Sequence, residues 1–130
     1  KVRSGRLLEV MRDEMKPNYL APGPQRAEVL DLVMDMAEVL GPDIFIRQSR
    51  ALQRRRDQQA VLRKCRVPAL VLCGEHAQLC PVKRHTFMAE LIHYAELVVL
   101  GGAGHLPTLE RPAATTAALR TWLAQPYVLQ

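Results

Sequence analysis

Among the side chains able to do chemistry, His105 has the most informative setting. It follows Gly101-Gly102-Ala103-Gly104 and precedes Leu106-Pro107. Gly102 and Gly104 give the backbone the freedom a tight turn requires. A histidine fixed on such a turn is suited to proton transfer, because its ordinary pKa of about 6.5 lies near neutrality. His76, His85 and His93 stand in no comparable turn and are expected to be structural or simply exposed. Nucleophiles are scarce. The only serines are Ser4 and Ser49, and neither has glycines on both sides at the spacing of a nucleophile turn. Cys80 lies near a strand end, but Pro81 follows it directly and no sharp strand-to-helix turn precedes it, so it is expected to be structural.

Cys65, Cys73 and Cys80 are separated by seven and six residues. With His76 they match none of the usual zinc spacings, so no metal site is expected. An odd number of cysteines fits a reduced, cytoplasmic protein better than a disulfide scaffold. No cofactor is implied. The chain has 130 residues, of which 48% are hydrophobic and 24% charged, values that suit one packed domain. No apolar run approaches the roughly 18 residues of a membrane helix, and nothing resembles a secretory leader, so no membrane partner is expected. Lys1 is not an initiator methionine, so the chain is expected to be a piece of a longer protein. The net charge is +5, and much of it lies between Arg47 and Arg66, where eight Arg or Lys residues face one acid, Asp57. That stretch is expected to be a solvated helix face and loop. A nucleic-acid partner is not expected, because no aromatic side chain is present there to stack on bases.

Two kinds of element must position His105. The first part reads as helices. Leu7, Leu8, Met11 and Met15 share one face up to Pro17, and Asn18 to Pro24 reads as a loop. Val29, Leu30, Val33, Met36, Ala37 and Leu40 form a stripe closed by Gly41-Pro42. A third helix is expected from Asp43, acting as N-cap, through Leu52. The pattern changes at Val67. Pro68 to Cys73, stopped by Gly74, reads as a strand buried on both faces. A helix follows Pro81, then a strand at Leu97 to Leu100, and Pro112 opens a last helix whose apolar face is Ala114, Ala118, Leu119, Trp122 and Leu123. Strand, helix, strand, helix implies a parallel pair, and in such sheets sites form beyond the C-terminal strand ends, at Gly74 to Pro81 and Gly101 to Pro107.

Gly102-Ala103-Gly104-His105-Leu106-Pro107-Thr108-Leu109-Glu110-Arg111-Pro112 closely resembles the G-x-G-H-x-x-x-x-E-x-P segment of α/β-hydrolases. Val67 to Glu75 resembles the family's penultimate strand and the turn to its acid, and Trp122-Leu123 resembles the end of its last helix. The resemblance covers about half of the chain, from Val67 onward. The helices before Val67 resemble the cap that many members insert. The implied fold is α/β, a partial α/β-hydrolase fold. It has two parallel strands with flanking helices plus an N-terminal helical cap segment. Residues 1–64 would be the cap or lid and residues 65–130 the C-terminal part of the core.

By this resemblance His105 would take a proton from a nucleophile and return it to the leaving group, in ester, lactone or C–C bond hydrolysis by a Ser-His-acid triad. Glu110 would be a structural neighbour. Two departures stand out. The G-x-S-x-G elbow is absent, and with it the oxyanion donors, so the chain alone is expected to be inactive. The position where the family commonly places its aspartate is Ala77. Ala77 is either a substitution or the mark of an acid on an earlier strand, and Glu75 is the possible substitute acid. The expected partners are an ester-like small-molecule substrate of the full-length parent, and a second copy of the chain or the missing N-terminal half. A non-catalytic binding module is the alternative, and a nucleic-acid binder using the arginines is a weaker one.

Overall fold

The computed structural model describes residues 5–12 and 19–126. The elements, in order, are α1 (Leu7–Val10), α2 (Arg26–Gln53), α3 (Gln59–Lys64), β1 (Ala69–Gly74), α4 (Val82–Leu91), β2 (Ala95–Leu100), α5 (Pro107–Glu110) and α6 (Pro112–Leu123). The expected end of the first helix, at Met15 and Pro17, lies outside the described residues. Within α2 the stripe from Val29 is followed by a break at Gly41, where φ is 84° and ψ 172°. The interruption expected at Gly41-Pro42 is therefore present. Pro42 takes the first position of the second segment, since it lacks the N–H that this position leaves unpaired. Asp43 falls inside the first turn and is not the cap.

β1 and β2 pair in parallel, from Ala69 opposite Ala95 to Gly74 opposite Leu100. Further backbone bonds, from Ala69 N–H to Tyr94 O (3.0 Å) and Glu75 N–H to Leu100 O (2.9 Å), extend the ladder at both ends. Leu7 of α1, Met11 just after it, Leu20 and the N-terminal part of α2 at Val29 and Val33 form an apolar cluster, packed against Leu106 and Leu109 of the α5 region. Burying each such side chain stabilises by roughly 1.5–3 kcal/mol, so this cluster is what ties the helical half to the strand half.

Two expectations about burial are corrected. Ala69–Gly74, expected to be buried on both faces, is fully buried at Val71 and Cys73 but only partly at Leu70 and Leu72, and on β2 Val99 is 42% exposed, because the helices of this chain leave part of a two-stranded sheet open. On α6 the inward face is Thr115, Ala118 and Trp122, with the indole N–H donating to Pro68 O at 3.1 Å. Ala114, Leu119 and Leu123 point outward. Ala118 and Trp122 thus face inward as expected, and Thr115 takes the inward place expected of Ala114, because its hydroxyl, donating to Pro107 O at 3.0 Å, can be buried with its polar atom satisfied. Two short helices, α3 and α5, had no periodic signature long enough to be read. Among the described residues no helix is long and apolar enough to cross a membrane.

The three thiols are free, with Cys73 buried, Cys65 intermediate and Cys80 exposed. Burial pushes the Cys73 thiol up from its ordinary value. The folded chain thus holds this proton more tightly than the unfolded one does. The resulting contribution favours folding below the ordinary thiol range and is lost as pH rises through the elevated folded value. Near neutral pH, iodoacetamide is expected to label Cys80 first and Cys65 next, with Cys73 reacting only on unfolding. Mass spectrometry of timed digests reads the order, and early labelling of Cys73 would contradict the packing of β1.

Candidate functional site

β1 and β2 end side by side, so the turns after them meet at one end of the sheet. In the first turn Ala77 N–H donates to Gly74 O at 3.1 Å, and His76 N–H donates across to Ala103 O at 2.9 Å. The second turn begins with Gly102 at φ 72° and continues to His105. The two turns are in very close contact. A Cβ on Gly74 would collide with the carbonyl oxygens of Ala103 and Gly104, and one on Gly104 would lie 2.8 Å from both Tyr19 O and Ala21 N. Neither position has room for a side chain, because backbone atoms occupy the space and cannot move aside as a flexible side chain could.

Glu110 holds this arrangement. The residue is 3% exposed. One carboxylate oxygen accepts the N–H groups of Gly104 (2.9 Å) and Leu106 (3.0 Å), which flank His105. The other accepts Ala21 N–H at 2.7 Å. The His105 N–H donates to Tyr19 O at 2.7 Å. The histidine loop is therefore pinned at three successive residues, 104, 105 and 106, and tied to residues 19–21. A buried carboxylate is costly unless its lone pairs are satisfied, and three backbone donors do so here. The turn of α5 delivers Glu110 to this position, with Pro107 pre-set at the start of the helix.

The His105 ring is partly buried and lies against the Tyr19 ring, with centroids 5.3 Å apart and planes at 40°. Burial pushes the Tyr19 phenol above its ordinary value. Beside this pair, between α2 and α5, is a cavity of about 250 Å³, lined mainly by apolar side chains including Met36, Leu40, Phe45, Leu106 and Leu109, with Gln48 at its margin. Glu75 faces another way. Its Oε1 lies 3.0 Å from His76 Nε2, and it accepts Gly102 N–H at 3.3 Å. Ala77 borders a separate cleft lined also by Leu20, Pro22 and Arg26. Among the described residues no carboxylate hydrogen-bonds the His105 imidazole.

The structure thus places Ala77, Glu75 and His105 on neighbouring turns. Two contributions were not legible in the sequence. Tyr19 and Ala21 come from a loop more than 80 residues upstream of His105, and nothing in their spacing marked it as a partner. Glu110 was read as a structural neighbour, but its role as a three-donor acceptor depends on that same distant loop.

No protein-family model and no curated protein sequence matches the chain. Solved structures do match it. A thermophilic esterase from Thermogutta terrifontis superposes with a TM-score of 0.79 at 28% identity, over 94% of this chain and 49% of that one. A bromoperoxidase from Bacillus anthracis gives 0.77 at 19% identity, over 95% and 46%. A 2-hydroxy-6-oxo-6-phenylhexa-2,4-dienoate hydrolase from Rhodococcus sp. strain RHA1 gives 0.64 at 20% identity, over 93% and 48%. The chain spans about half the length of the solved structures it matches, and it has a partial α/β-hydrolase fold.

The Glu110 clamp generates a test. Glu110→Ala orphans two buried N–H groups and a partly buried one, and is expected to destabilise the chain by on the order of 4 kcal/mol. Urea denaturation followed by circular dichroism measures it. A loss under about 1 kcal/mol would show that the three bonds are dispensable.

Proposed function

We propose that this chain is the histidine-bearing half of an α/β-fold hydrolase acting on esters, lactones or C–C bonds, with His105 as the general base and acid. In this reading residues 65–130 belong to the core and residues 1–64 to a cap. The observation that carries it is the pinned His105 at the end of β2, beside an apolar cavity, in a chain that folds as half of an α/β-hydrolase. A base held on a fixed turn has its geometry set before substrate arrives, which is where positional catalysis is gained. The apolar lining from α2 suits an acyl or aryl group, and the residues of that helix would select it.

The nucleophile and oxyanion donors would come from an N-terminal half, docked on the sheet or continuous with it, or the chain would associate with a second copy. The open sheet face at Val99 and the exposed Leu119 and Leu123 support such covering. The purified 130-residue chain is expected to leave p-nitrophenyl butyrate at background. Extended on its N-terminal side to a complete hydrolase, it is expected to turn the ester over, and His105→Ala is expected to remove on the order of 10⁴–10⁶-fold of that rate. A complete enzyme indifferent to His105→Ala would overturn the assignment.

A second reading, a binding module that has lost catalysis, is supported by Ala77, which can neither orient an imidazole nor stabilise its cation. Ala77→Asp in the extended protein separates the two. If the acid belongs at position 77, kcat is expected to rise by orders of magnitude, since neutralising the corresponding group in a serine protease costs about 10⁴-fold. An unchanged kcat in an active enzyme would locate the acid on an earlier strand or at Glu75.

A further inference from the structure

The end of α2, the turn after it and α3 carry the densest charge in the chain. Arg47, Arg50 and Arg54 recur at i, i+3 and i+7, which sets them along one stripe of the helix. Arg55 and Arg56 continue into the turn, Arg63 and Lys64 fill the last turn of α3, and Arg66 follows. All of these side chains are exposed, and among the described residues none is paired with a carboxylate. Asp57, the single acid in the stretch, is occupied in accepting Gln59 N–H at 3.2 Å. Cations near helix C-termini are favoured by the helix dipole, which explains Arg50, Arg63 and Lys64. It does not explain Arg47, Arg56 or Arg66. The same segment also exposes apolar side chains, with Leu52 and Val61 each 61% exposed and Val67 46%.

We propose that residues 47–67 are a docking surface for an anionic lipid bilayer. Guanidinium groups pair well with phosphate oxygens, and a negatively charged headgroup layer attracts a cluster of exposed cations cumulatively. The apolar side chains decide between partners. Leu52 lies across α2 from the stripe of Arg47, Arg50 and Arg54, as apolar and basic sides do on an interfacial helix, so at a bilayer Leu52, Val61 and Val67 would turn to the acyl boundary and the long guanidinium side chains would reach back to the headgroups. Against a nucleic-acid backbone they would face phosphate and water, and the stretch from 47 to 66 offers no aromatic ring to stack on a base. The expectation of no membrane partner rests on the lack of a spanning segment and of a secretory leader, neither of which surface docking requires. The placement also has a consequence. Arg47 adjoins Gln48, which borders the apolar cavity on the same helix, so docking would bring that end of the cavity toward the lipid. The docking surface stands whether or not His105 is catalytic.

The test is sedimentation of the full chain with phosphatidylcholine vesicles, plain or with roughly 30 mol% phosphatidylserine, at about 50 and 500 mM salt. Binding to the anionic vesicles at low salt is expected to exceed binding to the neutral ones at least about tenfold. Replacing Arg54, Arg55 and Arg56 together by Glu is expected to lower it on the order of a hundredfold. These side chains are exposed and unpaired, so the fold should persist, and circular dichroism checks it. Leu52→Gln with Val61→Gln is expected to remove the binding left at high salt, where only the apolar contribution remains. Equal binding to neutral and anionic vesicles would overturn the proposal. So would a folded chain that ignores both vesicles, or one that retains duplex DNA while ignoring them.

Discussion

A buried carboxylate with three backbone donors is the constraint on which the rest of the site depends. Glu110 lies in a position that would be prohibitive for an unpaired charge, yet its oxygens accept N–H groups from Gly104, Leu106 and Ala21. Each of these donors would otherwise be an orphan at the crowded end of the sheet. The acid and the three amides are therefore mutually necessary. Removing the acid strands the amides, and moving the amides strands the acid. This reciprocity fixes the loop around His105 without using the histidine's own side chain, which stays available for other work.

The clamp also explains why the glycines cannot be replaced nearby. Three backbone segments, the turns after β1 and β2 and residues 19–21, meet where Gly74 and Gly104 leave no space for a Cβ. Such close approach lets His76 N–H reach Ala103 O and His105 N–H reach Tyr19 O. The helical half and the strand half are thereby joined by backbone hydrogen bonds as well as by the cluster of Leu7, Met11, Leu20, Val29 and Val33. A loop from the first part of the chain is as much a wall of the site as the strand ends are.

What the sequence made legible follows from the range over which each signal acts. The parallel strand pair, the break at Gly41-Pro42 and the helices after Pro81 and Pro112 depend on periodicity and on the local chemistry of Gly and Pro, and they could be read directly. So could the turn that presents His105. On α6 the expected Ala118 and Trp122 do face inward, but Thr115 is not visible as their neighbour because it counts as polar in a pattern and is satisfied by Pro107 O in the fold. Helices as short as α3 and α5 complete too few turns for a period to register. Tyr19 and Ala21 were invisible as site residues because a contact across more than 80 positions leaves no trace in spacing. Pro68 to Cys73 reads as doubly buried because an apolar run reports what a complete sheet would cover, whereas this chain covers Leu70 and Leu72 only in part.

That last difference separates two properties, a fixed histidine loop and a fully covered fold. Every bond holding the His105 loop, from Glu110, Tyr19 and the turn after β1, is made within the described residues of this chain. The loop's geometry thus needs no further strand. By contrast, the sheet face at Val99 and the outer side of α6 at Leu119 and Leu123 carry apolar area that a longer fold would bury. The polar constraints on the loop are closed while part of the apolar surface remains open. In a half-fold the precision of a site therefore comes from hydrogen bonds to a buried acid, and its overall stability is what depends on added surface. A chain built in this way can hold a histidine in place before the groups that would act with it are present.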